Sequence, residues 1–133
     1  VINNGDALDI FKKMVIAQGG DIDVIDNPDI IMPKYKEYIF AEEDGYIGKM
    51  HTLNIGNAII LLGAGKLAAK DQLDPTAGIT LLKKVGDFVK KGEPLLEIFC
   101  SDKEKLKKGK LHMEGSIVLV SAEPKSLCII LDK

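Results

Sequence analysis

The stretch Val85-Gly86-Asp87-Phe88-Val89-Lys90-Lys91-Gly92-Glu93-Pro94-Leu95-Leu96-Glu97-Ile98 decides how the rest of the chain is read. Gly86 and Gly92 each sit in a polar pair where the backbone must turn, because glycine enters left-handed turn conformations without a Cβ clash. The stretch reads as a strand, a turn, a short bridge and another strand. Phe88 and Val89 are the apolar residues between the turns. Pro94 opens the strand Leu95 to Cys100, where a missing N–H does least harm. Such a β hammerhead must be closed by a second β segment from elsewhere in the chain. The expected class is α+β: a barrel-sandwich-like hammerhead with a buried helix, preceded by a helix and linker.

Working upstream, Thr52 is expected to cap a helix reaching Leu62. Leu53, Ile55, Ala58, Ile59, Ile60, Leu61 and Leu62 cover most of its circumference, which predicts a helix buried all round. Gly56 costs such a helix about 1 kcal/mol relative to Ala, and close packing against another backbone is the expected compensation. Gly63, Ala64, Gly65 and Lys66 end it. Tyr38–Ala41 and Tyr46–Met50 are short strands flanking the acidic turn Glu42-Glu43-Asp44-Gly45, read as the solvated tip of a hairpin. Residues 6–18 form a first helix, with Asp6 as N-cap and Asp9 reaching back as in a capping box. Its stripe of Ala7, Ile10, Phe11, Met14 and Val15 reads as core or interdomain packing, and Gly19 and Gly20 stop it. Residues 1–36 are thus a helix and linker from a preceding domain, and 37–133 a C-terminal α+β domain.

Downstream of the loop at Asp74-Pro75, residues 77–84 lead as a strand into the hammerhead. Residues 102–115 look helical, with Asp102 as cap, although Gly109 and Gly115 weaken the pattern. The five lysines from Lys103 to Lys110 read as a solvated face, since no aromatic residues interleave with them to stack on bases. Ile117–Val120 extends that helix or begins a strand, and Leu127–Leu131 reads as a terminal strand.

The totals narrow the function. With 133 residues and 46% apolar content, the chain can bury a core without a metal or disulfide. Eighteen basic and twenty acidic side chains give a formal charge of −2, so no global field recruits nucleic acid or anionic membrane. Cys100 and Cys128 lie in apolar runs, as buried thiols of a reducing compartment do. No apolar run approaches the roughly 18 residues of a membrane span, and the expected address is the cytoplasm. The chain opens on Val1 shortly before a helix, as a piece of a longer polypeptide would.

No catalytic constellation assembles from the residues alone. His51 and His112 have no partners at metal-ligand spacing. Asp21, Asp23, Asp26 and Asp29 fail as a calcium loop, because Asp26 stands where Gly is needed and Met32 where a bidentate Glu is needed. They read as turn and cap residues. The serines lack a nucleophile elbow, and Gly63-Ala64-Gly65-Lys66 lacks the spacing of a phosphate-binding loop.

The hammerhead resembles two families. One is the biotinyl and lipoyl carriers, for which Lys103 in Ser101-Asp102-Lys103, or Lys49 in Gly48-Lys49-Met50, would have to stand on a free hairpin. The other, which the ordered motifs favour, is the pyrimidine nucleoside and thymidine phosphorylases. Met14-Val15 through Gly19-Gly20-Asp21, Gly45-Tyr46-Ile47, Leu61-Leu62-Gly63-Ala64-Gly65-Lys66, Lys70-Asp71 with Asp74, Gly78-Ile79 with Leu81, Lys83-Lys84-Val85-Gly86-Asp87 and Val89-Lys90-Lys91-Gly92-Glu93-Pro94-Leu95 follow in that family's order. This resemblance implies a pentosyltransferase that uses inorganic phosphate to cleave a pyrimidine nucleoside into base and pentose 1-phosphate. It also implies a homodimer with its catalytic residues upstream of Val1. The chain would be the C-terminal part, inactive alone, with no catalytic residue, cofactor or metal of its own. Its partners would be the upstream catalytic domain and, through it, the nucleoside, with neither nucleic acid nor membrane. The turn Gly63, Ala64, Gly65 and Lys66 becomes a domain-closure contact, at which a bulky residue in place of Gly65 should cost turnover more than stability. Lys66 stands where Arg is common, Leu82 where His is frequent, and Asn57 interrupts a usually apolar stretch.

Overall fold

A computed structural model describes residues 1–66 and 68–125. Cys128 and the expected strand Leu127–Leu131 lie outside them. The chain divides into two compact units, Val1–Met32 and Pro33–Lys133.

In the first unit, helix α1 (Asp6–Ala17) starts one residue earlier than a cap at Asp6 requires. Gly5 is the N-cap residue and offers no side chain, so Asn4 supplies the acceptor: its Oδ1 takes the Asp6 N–H at 3.3 Å. Asp9 N–H donates to the Gly5 carbonyl, which replaces the expected capping box with an ordinary helical bond. Gly20 N–H closes the other end on the Val15 carbonyl. The expected irregular linker holds a short helix, α2 (Asp23–Asp26), and a 3-10 turn at Pro28–Ile31. Asp21 Oδ1 accepts the Asp23 N–H, and Pro28 starts the turn where no N–H is needed. Lys12 of α1 pairs with Asp26 of α2. None of the α1 residues is buried; Ile10 is 63% and Phe11 46% exposed, so the apolar stripe is not core within its own unit.

The second unit holds β1 (Tyr35–Phe40), β2 (Gly45–Met50), α3 (Thr52–Ile59), β3 (Gly78–Leu81), β4 (Phe88–Val89), β5 (Pro94–Cys100), α4 (Lys103–His112) and β6 (Ile117–Val120). It is α+β, as expected. Among the described residues its strands form two antiparallel, three-stranded sheets, ordered β1-β5-β3 and β4-β2-β6, and neither closes into a barrel. The expected hairpin between β1 and β2 does not form, because the two strands belong to different sheets. The acidic turn is instead a crossover, and Asp44 Oδ1 accepts the Lys91 N–H at its far side. β1 also begins three residues before Tyr38, and Ile117–Val120 is a strand.

The hammerhead is a doubled unit. Lys84-Val85-Gly86-Asp87 and Lys90-Lys91-Gly92-Glu93 each close a turn from the acidic residue's N–H to the lysine carbonyl, at 3.1 and 2.9 Å. In each, the acidic side chain takes the lysine N–H. Gly86 and Gly92 have φ of 99° and 81°, as the third position of such a turn demands. Each turn then exchanges two backbone bonds with one facing residue. Gly92 N–H donates to Ala41 O and Ala41 N–H to Glu93 O; Gly86 N–H donates to Ile47 O and Ile47 N–H to Asp87 O.

Strand β5 serves two cores because successive residues face opposite ways. Leu96, Ile98 and Cys100 pack with Ile55, Ala58, Leu62, Leu106 and Met113 of the helical layer. Leu95 packs with Ala41, Ile47 and Val89. Helix α3 is one-sided where the sequence reads as apolar all round: Ile55 and Ala58 are buried, whereas Leu53 is 75% exposed. His51, not Thr52, is the N-cap residue, and its N–H donates to the Ser116 carbonyl. Nothing lies within 4 Å of the place a Cβ on Gly56 would take, so no close backbone approach compensates this glycine. That role falls to Gly109 on α4, where a Cβ would lie 2.7 Å from Cδ2 and 2.8 Å from Cγ of fully buried Leu62.

The two glycines should therefore respond oppositely to the same substitution. Gly56→Ala is expected to raise stability in urea by up to about 1 kcal/mol through helix propensity. Gly109→Ala is expected to lower it by about 1–3 kcal/mol through overpacking. Equal effects would show that α3 and α4 do not meet at Gly109.

Candidate functional site

The sequence singles out the turn after α3, and the structure shows what holds it. The helix passes into a wider π turn, Ile60–Ala64, that ends where Gly63 takes φ 108° and Gly65 is extended. The Gly63 carbonyl accepts the Asp74 N–H at 2.8 Å. Asp74 is tied in turn through both carboxylate oxygens. Oδ2 accepts the Ser101 N–H at 2.7 Å, and Oδ1 accepts the Thr76 N–H at 2.9 Å, the Thr76 hydroxyl at 2.7 Å and the Ser101 hydroxyl at 3.0 Å. Partial burial pushes the Asp74 carboxyl up, but the bonds from Ser101 and Thr76 outweigh it and hold the group below the ordinary range.

A shallow depression of about 350 Å³ opens beside this turn, lined by Ile60, Leu61, Gly63, Gly65, Asp71, Gln72, Lys105 and Lys108. The sequence reading assigns the last two to a solvated face in preference to a phosphate-binding surface. Lys108 is exposed, but Lys105 is half-buried, with Nζ 3.2 Å from where a Gly63 Cβ would stand. Lys66 is exposed and Ala64 half-buried. Gly65 is not free to carry a side chain: its Cβ would fall 2.7 Å from Ile60 Cγ1 and 3.3 Å from Ile60 Cα. A bulky residue there disturbs packing directly, so Lys66 is the better probe of a contact role.

A second, larger groove of about 760 Å³ runs from Tyr38–Glu43 past Leu95 to Met113, Gly115 and Leu119, with Glu42, Glu43, Glu114 and Lys110 around it. Lys110 is paired with Glu37.

The remaining perturbed groups are committed to structure. Backbone bonds from Lys105 and Glu104 hold Asp102 below its usual range, which makes it the α4 cap that the sequence anticipates. The Lys83 ammonium and the Lys90 N–H lower Glu93 at the second glycine turn. The Tyr38 hydroxyl and Lys36 lower Glu97, while Tyr38 is raised in exchange. Burial pushes the Cys100 thiol up, and its Sγ donates to the Asp102 carbonyl. His51 lies at the start of α3 and His112 at the end of α4. Lys103 is the first residue of α4 and Lys49 lies within β2, so neither stands on the hairpin apex that a carrier lysine needs. Among the described residues no helix is long and apolar enough to cross a membrane.

Sequence reasoning misses Asp74 as the hub of this site. Thr76 two residues on is the available signal, since Asp commonly accepts from the second following residue. Ser101 cannot be read in the same way, because it lies on another element.

The model of the pyrimidine nucleoside phosphorylase C-terminal domain matches residues 46–119, from β2 through both glycine turns and α4 into β6. The chain belongs to this family. A pyrimidine-nucleoside phosphorylase of Geobacillus stearothermophilus is 36% identical over 133 residues, covering 99% of this chain and 30% of the relative. Those of Bacillus subtilis and Staphylococcus aureus are 40% and 43% identical over 102 and 98 residues, covering 76% and 73% of this chain and 24% and 23% of theirs. As a family member, the chain thus spans less than a third of the length of these relatives.

Asp74 leaves a signature in acid. Its folded-state pKa is depressed, so the unfolded chain binds more protons in that range, and stability rises with pH. This contribution is complete above the unfolded value of about 3.9 and is lost as pH falls through the lower folded value. Urea midpoints measured from neutral pH downward should therefore fall less steeply in Asp74→Asn than in the parent chain. Parallel curves would show that the carboxylate is not held by these bonds.

Proposed function

We propose that this chain serves as the C-terminal domain of an enzyme that transfers the pentosyl group of a pyrimidine nucleoside to inorganic phosphate. The glycosidic C–N bond is exchanged for a C–O bond to phosphate, and free base and pentose 1-phosphate leave. The supporting observation is the family match over residues 46–119, which takes in both glycine turns and the α3–α4 layer. The relatives that share this segment are pyrimidine-nucleoside phosphorylases, and each carries most of its length outside it.

In this reading the chemistry belongs to that other portion, and this chain supports it and is inert by itself. The commitments of Asp74, Asp102, Glu93, Glu97 and Cys100 to structural bonds or burial favour such a division. The turn Gly63–Lys66 is the contact made when the domains close over substrate: it exposes Lys66 beside a depression that Gly63 and Gly65 help to line. The working enzyme is a cytoplasmic homodimer that needs no cofactor beyond phosphate as co-substrate, and it engages neither nucleic acid nor membrane.

The purified chain, given uridine or thymidine with phosphate, is expected to release no base. Fused in place of the matching segment of the Geobacillus relative, it should support turnover. Lys66→Glu in that fusion should cut turnover about tenfold while shifting the unfolding free energy by no more than about 0.5 kcal/mol. Base release by the chain alone would overturn the assignment of the chemistry, and an unchanged rate in the variant would remove the closure contact.

A further inference from the structure

We infer that Asp74 is the positioning residue for the Gly63–Lys66 turn, a role that no motif assigns to it. Its importance for catalysis rests on reading that turn as the closure contact; its hold on the turn does not.

The geometry is that of a hub. Asp74 uses its N–H toward Gly63, its own carbonyl toward the Ala77 N–H at 3.1 Å, and both carboxylate oxygens toward Thr76 and Ser101. The Thr76 and Ser101 hydroxyls also meet at 2.8 Å. One residue thereby joins the end of the π turn, the entry to β3 and the exit from β5. Asp102, directly after Ser101, caps α4 through Glu104 and Lys105 N–H, and Lys105 Nζ returns to Gly63. The Asp74 Cβ stands 3.3 Å from the position a Gly63 Cβ would occupy, so the two residues are in close contact. Gly63 has no side chain with which to fix its own conformation. Its place is set by the partner of its carbonyl, and that partner is set by the carboxylate. Replacing one carboxylate oxygen by NH2 puts a donor opposite the Ser101 N–H or the Thr76 donors, without changing shape.

The test compares Asp74→Asn with Ile98→Val, a fully buried core change on β5 whose side chain takes no part in these hydrogen bonds, and with Ser101→Ala as a milder cut in the same network. In the 133-residue chain, amide hydrogen exchange at residue 74 and through the Gly63–Lys66 turn should accelerate about tenfold in Asp74→Asn beyond any global loss of stability. Ser101→Ala should show a smaller change at the same amides, and Ile98→Val no selective change. Acceleration confined to the global level overturns the proposal. In the fusion with the Geobacillus relative, Asp74→Asn should lower kcat about tenfold while KM stays within about twofold. Ile98→Val should leave kcat alone. A turn that loosens while kcat holds would keep Asp74 as the positioning residue and refute the turn as closure contact.

Discussion

Two reciprocal pairs of backbone hydrogen bonds, Ala41 with Gly92 and Glu93, and Ile47 with Gly86 and Asp87, are the constraint on which the second unit depends. Each pair lets a glycine turn grip a single residue of the facing segment. Because the gripped residues flank the acidic crossover, β1 and β2 cannot fold onto one another and must enter different sheets. The same grips aim β5 between the two cores, with Leu96 and Ile98 on one side and Leu95 on the other. A positive φ at Gly86 and Gly92 is therefore a requirement of the whole arrangement.

The helical layer is governed by closeness of approach. Gly109 lets α4 settle onto Leu62, which is fully buried in the π turn that follows α3. Leu106 and Met113 complete the contact. The π turn thus packs on α4, and next to this contact the Gly63 carbonyl accepts the Asp74 N–H. The family match covers this layer and the hammerhead together, which is what a single packed unit requires.

What is legible in the sequence is local. The glycine turns, the Asp102 cap and the stop at Gly19-Gly20 each involve residues a few positions apart, and each stands where the pattern puts it. What is not legible needs a partner from far along the chain. Tyr38–Ala41 and Tyr46–Met50 invite a hairpin, and it is the pairing of β1 with β5 and of β2 with β4 and β6, together with the bonds to Glu93 and Asp87, that forbids it. Gly109 reads as a flaw in a helix until Leu62 is placed beside it, and Gly56 reads as a contact until its surroundings prove open. Helix α3 carries apolar residues on every side, so its hidden face cannot be chosen from composition; Leu53 lies outside it. The turn Gly63–Lys66 shows itself through its glycines, but the hold of Asp74 on it does not, because half of that carboxylate's bonds come from Ser101.

The grips also order events in time. Ala41 and Gly92 are about fifty positions apart, and on a ribosome adding roughly 5–20 residues per second the first waits several seconds for the second to be made. Throughout that interval the nascent segment from Tyr35 to Met50 lacks the mates that would keep its strands separate. A premature hairpin across the acidic crossover is then the natural misfold, and Glu42, Glu43 and Asp44 at its tip would burden it with crowded like charge.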